Sequence, residues 1–159
     1  MKFKNPLLAV RDMERSVEFY RAVLGLHKIA DFGANVTLTG GVCLQTLDTW
    51  QKFLGTEQVA LGTNSGELYF EEDNFDSFVE KLETFPVVYV HPVKEHTWGQ
   101  RVVRFYDPDR HIIEVGESLT TVCRRFLASG MTLEQAAERM GVPAAYAARL
   151  TGQRKGEHR

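Results

Sequence analysis

The feature that most constrains this chain is an internal echo. Residues 1–47 read as a strand, a helix and three strands, and residues 66–117 read the same way. "FKNPLLAV" (3–10) reads as a strand. In "RDMERSVEFYRAVLGL" the apolar residues Met13, Val17, Tyr20 and Leu24 recur at helical spacing, Asp12 is a good N-cap, and Gly25 supplies a left-handed stop. "LHKIADF", "NVTLT" and "VCLQTL" follow as strand-like runs, punctuated by Gly33 and Gly40-Gly41. The second pass opens with "ELYFEE" (67–72). A helix capped at Asn74 comes next, with Phe75, Val79 and Leu82 on one face and Pro86 ending it. Strands at 87–93, 100–106 and 111–117 complete it, the last two joined by the Asp107-Pro108-Asp109-Arg110 turn. A shift of 62 residues lays Met13 on Phe75, Val17 on Val79, Tyr20 on Leu82 and Asp12 on Asn74. The expected class is α+β, with two βαβββ modules at 1–47 and 66–117 and a linker at 48–65.

One residue in this pattern asks for an explanation. Glu114 stands inside the apolar run Ile112-Ile113-Glu114-Val115. A buried carboxylate without a partner is costly, so it must have a partner or a task.

Residues 118–159 differ in kind. They hold seven Lys/Arg and three Asp/Glu, against twelve and eighteen in residues 1–117. "LTTVCRRFLASG", "MTLEQAAERMG" and "VPAAYAARLTG" read as three short helices broken at Gly130, Gly141-Val142-Pro143 and Gly152, with a capping box at Thr132 and Gln135. The terminal "QRKGEHR" reads as frayed. The middle and last helices have the layout of a helix-turn-helix, which suggests a third role as a DNA-contacting regulator. The small apolar surface of "PAAYAARL" weighs against it, because base edges need polar partners. The overall formal charge of -2 gives no reason to expect nucleic acid, and no apolar run has membrane-spanning length. Cys43 and Cys123 lack metal-ligand spacing and read as buried, reduced thiols of a cytoplasmic protein.

The stretches "LLAVRDMERSVEFYRAVLGL", "ELYFEEDNFDSFVEKL" and "WGQRVVRFYDPDRHIIEVGE" resemble the vicinal oxygen chelate superfamily, which includes glyoxalase I, bleomycin-binding proteins, fosfomycin resistance proteins and extradiol dioxygenases. The resemblance covers about residues 1–117 and implies a cup-shaped mixed sheet with helices outside. In metal-dependent members, side chains of the first and last strand of each module point into the cup. Carried over by position, these are Asn5, Gln45, Glu67 and Glu114. The set lacks imidazole. All-oxygen donors suit Mg, Mn or Ca better than Zn, and a divalent cation such as Mg, Mn or Ni is the cofactor this would imply. Without a cation, two facing carboxylates would share a proton and offer acid–base chemistry, or the site would be a relic.

Around that set, Tyr69 shares the strand parity of Glu67. Arg104 either faces the cup, where it would meet an anionic substrate or pair with Glu67 or Glu114 and oppose cation binding, or points outward from a two-faced strand. Trp98 and Tyr89 are candidate pocket walls, as are Trp50 and Phe53. His96 is a candidate proton carrier, although a solvated loop is its plainer reading, as it is for His91; His111 reads as structural. Arg110 stands where relatives carry Gly, so modest backbone strain is expected. Three functions follow. The first is a lyase or isomerase working through Glu67 and Glu114, with or without a cation. The second is a small-molecule binding protein without catalysis, and the third is the DNA-contacting regulator. Relatives commonly form dimers, so a homodimer is expected.

Overall fold

The computed structural model describes residues 1–152. The element order is β1 (Leu7–Val10), α1 (Met13–Leu24), β2 (Lys28–Asp31), β3 (Asn35–Leu38), β4 (Cys43–Thr46), α2 (Leu47–Leu54), β5 (Glu67–Glu72), α3 (Phe75–Leu82), β6 (Val88–Glu95), β7 (Arg101–Tyr106), β8 (Ile112–Glu117), α4 (Leu119–Ala128), α5 (Leu133–Met140) and α6 (Ala144–Leu150). A short 3-10 turn at Thr39–Gly41 precedes β4. The fold is α+β, with two βαβββ modules followed by helices. The expected mixed sheet is realised as two four-stranded sheets, ordered β1-β4-β3-β2 and β5-β8-β7-β6. Adding four to each strand number of the first sheet gives the second, so the repeat extends to topology. The two modular helices begin at Met13 and Phe75, at the 62-residue offset seen in sequence.

Local chemistry sets the element ends. Asp12 caps α1 by accepting from the Arg15 amide at 3.0 Å, and Gly25 closes it at φ 70°. The strand expected over 3–10 is confined to Leu7–Val10. Pro6 offers a carbonyl, which accepts from the Cys43 amide at 3.2 Å, but it has no N–H to extend the ladder. β1 runs parallel to β4 and β3 antiparallel to it, with Asn35 directly opposite Gln45. Pro92 is tolerated inside β6 because β6 is an edge strand. The segment expected to be a linker begins with a helix, α2, which follows β4 without a break. α4 follows β8 in the same manner, through Ser118, whose hydroxyl caps it. Each module therefore ends in strand then helix, a part of the repeat that the sequence pattern did not reveal.

The chain packs as two compact units. The first comprises residues 1–68, 81–88 and 105–113; the second comprises 69–80, 89–104 and the described residues from 114 on. Tyr20, Leu38, Leu44, Leu82, Phe105 and Ile113 are buried in the first. Its turn at 107–111 is tied inward. Tyr20 Oη donates to Asp107 Oδ2 at 3.0 Å, His111 Nδ1 lies 2.8 Å from the same oxygen, and Arg11 pairs with Asp109 at 3.0 Å. His111 thus has the structural use expected of it. Burial and the Asp107 charge push the Tyr20 phenol well above its ordinary range, so it remains a donor. Arg110 holds φ 74° in this turn, with its guanidinium 4.1 Å over the Tyr106 ring.

In the second unit, Val122, Cys123, Phe126, Ala136, Ala137, Met140 and Ala147 form one apolar cluster. α4, α5 and α6 turn their apolar faces toward one another, with alanines allowing close approach. The capping box at Thr132 and Gln135 is formed. Both cysteines are buried thiols. No helix among the described residues is long and apolar enough to cross a membrane. The expectation of a frayed terminus falls on 153–159, outside the described residues.

Candidate functional site

The carboxylate that interrupts the apolar run of β8 meets a guanidinium. Arg104 on β7 is ion-paired through Nη2 with Glu114 Oε2; the side chains are 23% and 7% exposed. That buried oxygen has no second partner among the described residues. The same guanidinium reaches the edge strand, where Nη1 lies 3.1 Å from His91 Nε2. His91 Nδ1 lies 2.7 Å from the Pro92 carbonyl. A carbonyl only accepts, so Nδ1 carries the proton and Nε2 gives its lone pair to Arg104. The plainer sequence reading of His91, a solvated imidazole at a strand end, is thereby corrected. Three strands contribute one side chain each to a floor of carboxylate, guanidinium and imidazole.

A wall stands on the same face. Gln100, 5% exposed, accepts at Oε1 from Trp98 Nε1 at 3.1 Å. Its Nε2 donates to Tyr69 Oη at 2.8 Å and to the Glu117 carbonyl at 2.9 Å. Tyr69 donates in turn to Glu71 at 3.0 Å. Burial raises the Tyr69 pKa, Gln100 opposes this and Glu71 adds to it, so the phenol stays protonated at neutral pH. The His96 ring stacks on Trp98 with centroids 4.1 Å apart and 16° between planes. Gly116 makes room for this wall, since a Cβ there would lie 2.9 Å from Gln100 Nε2 and 3.3 Å from Tyr69 Cε2. Gly116 is two residues from Glu114 on β8, so wall and floor share a face. Tyr69, Tyr89 and Trp98 remain 48%, 39% and 38% exposed. Exposed rings beside a few fixed polar groups are the composition of a small-molecule site.

Just behind the wall, Glu117 is fully buried between two guanidiniums. Arg101 approaches at 3.1 Å and Arg125 of α4 at 3.0 Å. Burial alone would raise the carboxyl pKa, but the bonds from Arg101 and Arg125 outweigh it and hold it below the ordinary value. Arg101 also pairs with Asp76 at 2.7 Å.

The remaining sequence candidates lie in the first unit. Gln45 is spent structurally: its Oε1 accepts from Asn35 at 2.9 Å and its Nε2 donates to Thr49. Asn5 Nδ2 donates to the Gly41 carbonyl at 2.7 Å. Glu67 is exposed at the start of β5, where it lines a depression of about 280 Å³ with Ser65, Asn64 and His111. The residues present do not fit a divalent cation. Glu114 is answered by Arg104, the Gln45 oxygen is occupied by Asn35, and no group of three or more His, Cys, Asp and Glu side chains able to hold a metal ion occurs among the described residues.

The sequence reading passed over Gln100 and Gly116. A Gly at strand parity two from Glu114, inside an otherwise bulky run, was the available signal that another side chain closes over it.

The duplicated βαβββ frame, with its polar residues on the terminal strands, is that of the vicinal oxygen chelate superfamily. Within it, the chain belongs to the glyoxalase-like domain family, which matches residues 3–120. A protein of unknown function from Agrobacterium tumefaciens str. C58 is 40% identical, with a TM-score of 0.68 over 75% of this chain and 95% of that one. A glyoxalase-related enzyme from Fulvimarina pelagi shares the fold at 19% identity and TM-score 0.64, over 74% of this chain and 88% of that one. A member of the glyoxalase/bleomycin resistance protein/dioxygenase superfamily from Sphaerobacter thermophilus DSM 20745 does so at 22% and 0.60, over 74% and 98%. No curated protein matches the chain. This is a glyoxalase/bleomycin-resistance-like protein, and its helices beyond residue 120 lie outside the family match.

Proposed function

We propose that this chain is a metal-free binding protein for a flat aromatic molecule, neutral or cationic, held on the Arg104–Glu114 face. The observation that carries the reading is the ion pair itself. It occupies the carboxylate that cation binding or proton transfer would need, and it leaves the floor without net charge. Exposed faces of Tyr69, Tyr89 and Trp98 then supply stacking and cation–π contact, while Gln100 and Tyr69 fix orientation. A homodimer belongs to this reading, because the edge strand β6 leaves Val90 and Val93 exposed. Sedimentation at twice the chain mass is the expected result.

The alternative, a lyase or isomerase acting through Glu67 and Glu114 with a divalent cation, makes the opposite demand on Glu114. One experiment separates the two. Purified protein is titrated calorimetrically with the flat cationic dye proflavine, then analysed for bound metal after exposure to Mn, Mg, Ni and Zn. Saturable 1:1 dye binding, weakened about tenfold by Trp98→Ala, is expected. Near-stoichiometric metal in the wild type that disappears in Glu114→Gln would overturn the binding reading in favour of the enzyme.

A further inference from the structure

The helices outside the family match hold the turn that carries the wall. Residues 96–99 form a tight turn between β6 and β7, closed by the Gly99 amide on the His96 carbonyl at 2.8 Å and the His96 amide on the Gln100 carbonyl at 2.9 Å. Two of its other carbonyls are gripped from the extension. Arg125 Nη2 of α4 donates to the Gly99 carbonyl and Arg139 Nη1 of α5 to the Thr97 carbonyl, each at 2.5 Å. Arg139 also faces Glu95 at 3.9 Å. Between these contacts the Phe126 ring of α4 lies against Gly99, where a Cβ would sit only 2.1 Å from ring carbon Cζ. Arg125 is itself fixed by Glu117, whose carbonyl receives Gln100 Nε2. Trp98 lies between the two gripped carbonyls, and Gln100 follows directly.

We infer that Arg125 and Arg139 are positioning residues: through the Gly99 and Thr97 carbonyls they fix the pose of Trp98 and Gln100, so that the C-terminal helices set the affinity of the ligand face. This rests on the ligand-site reading above. Neither arginine belongs to the floor or the wall of that face; their polar contacts are with Glu117, Glu95 and the turn carbonyls. Their donors are charged and directional, which suits them to hold backbone carbonyls in a turn between strands. Arg139 is the more open to test, because its side chain is 48% exposed and it lies outside the apolar cluster of the three helices.

The test uses the full chain in a Trp50→Phe background, which leaves Trp98 as the single indole. Acrylamide quenching of Trp98 and calorimetric affinity for proflavine are measured for the parent, Arg139→Ala and Arg139→Lys, with thermal melting as the folding control. Arg139→Ala is expected to raise the quenching constant about twofold and weaken dye affinity about fivefold, with Arg139→Lys recovering part of both. Unchanged quenching in a folded Arg139→Ala overturns the clamp, whether or not dye binds. Raised quenching in a protein that binds no dye supports the clamp and overturns the ligand reading instead.

Discussion

The two modules place different chemistry at one topological position. Gln45 in β4 and Glu114 in β8 each stand on the strand that ends a module, one residue after a buried aliphatic side chain, Leu44 or Ile113. The amide is satisfied by neutral neighbours, Asn35 across the ladder and Thr49 on the following helix. The carboxylate requires a guanidinium, which brings in His91 from the strand beyond. The difference extends to the helices that follow. α2 is a single short helix, whereas α4 leads into a three-helix cluster anchored on the buried Glu117. Duplication supplied one frame twice, and charge in the second terminal strand made that copy the one with a furnished face.

The comparison is best broken at Glu117. Glu117→Gln leaves two guanidiniums facing a neutral amide in a buried place and is expected to destabilise the protein by about 3–5 kcal/mol in urea denaturation. Its pH signature has a definite sign. The folded pKa lies below the ordinary 4.5, so the unfolded chain binds the proton more readily. The stabilisation is present above pH 4.5 and is lost as pH falls through the folded value. Melting temperatures below pH 4.5 should fall more steeply in wild type than in the variant.

Arg104→Met tests the next level by stranding Glu114, with an expected cost of about 3 kcal/mol. Adding Glu114→Leu should restore most of it, giving a coupling that a double-mutant cycle reads directly. In the first module, Gln45→Leu should cost only about 1 kcal/mol, because it leaves neutral groups unpaired rather than a charge. Equal losses at the two sites would sink the contrast between modules. The smallest effect is expected at Arg110, where Arg110→Gly removes the strain of φ 74° and raises stability by about 0.5–1 kcal/mol, less whatever the ring stack on Tyr106 contributes.

Much of the frame was legible because it rests on local signals. The 62-residue echo predicted the starts of both modular helices, and Asp12, Gly25 and the Thr132–Gln135 box acted where capping chemistry places them. The site was legible in part. Strand parity put Tyr69 on one face of β5 with Glu67, the face that is the more exposed of the two, and an Arg interrupting β7 was read as one possible partner for Glu114. The choice among its partners was not written in spacing, because strand order and register decide which side chains meet. His91 shows the limit most clearly. Its neighbours in sequence suggest solvent, while its partner lies thirteen residues away on the adjacent strand. The role of Gln100 depends on three acceptors and donors from separate segments, which no periodicity encodes.

The empty side of Gly99 has a consequence for the lineage of this chain. Its backbone, at φ 86°, strains any residue other than glycine, and the Phe126 ring fills the space that a side chain would enter. A chain without the helices has no ring to accommodate, yet a φ of 86° still favours glycine at that turn. The glycine alone therefore says nothing of the helices; an aromatic side chain twenty-seven positions after it is the residue that would mark chains in which such a helix packs on this turn.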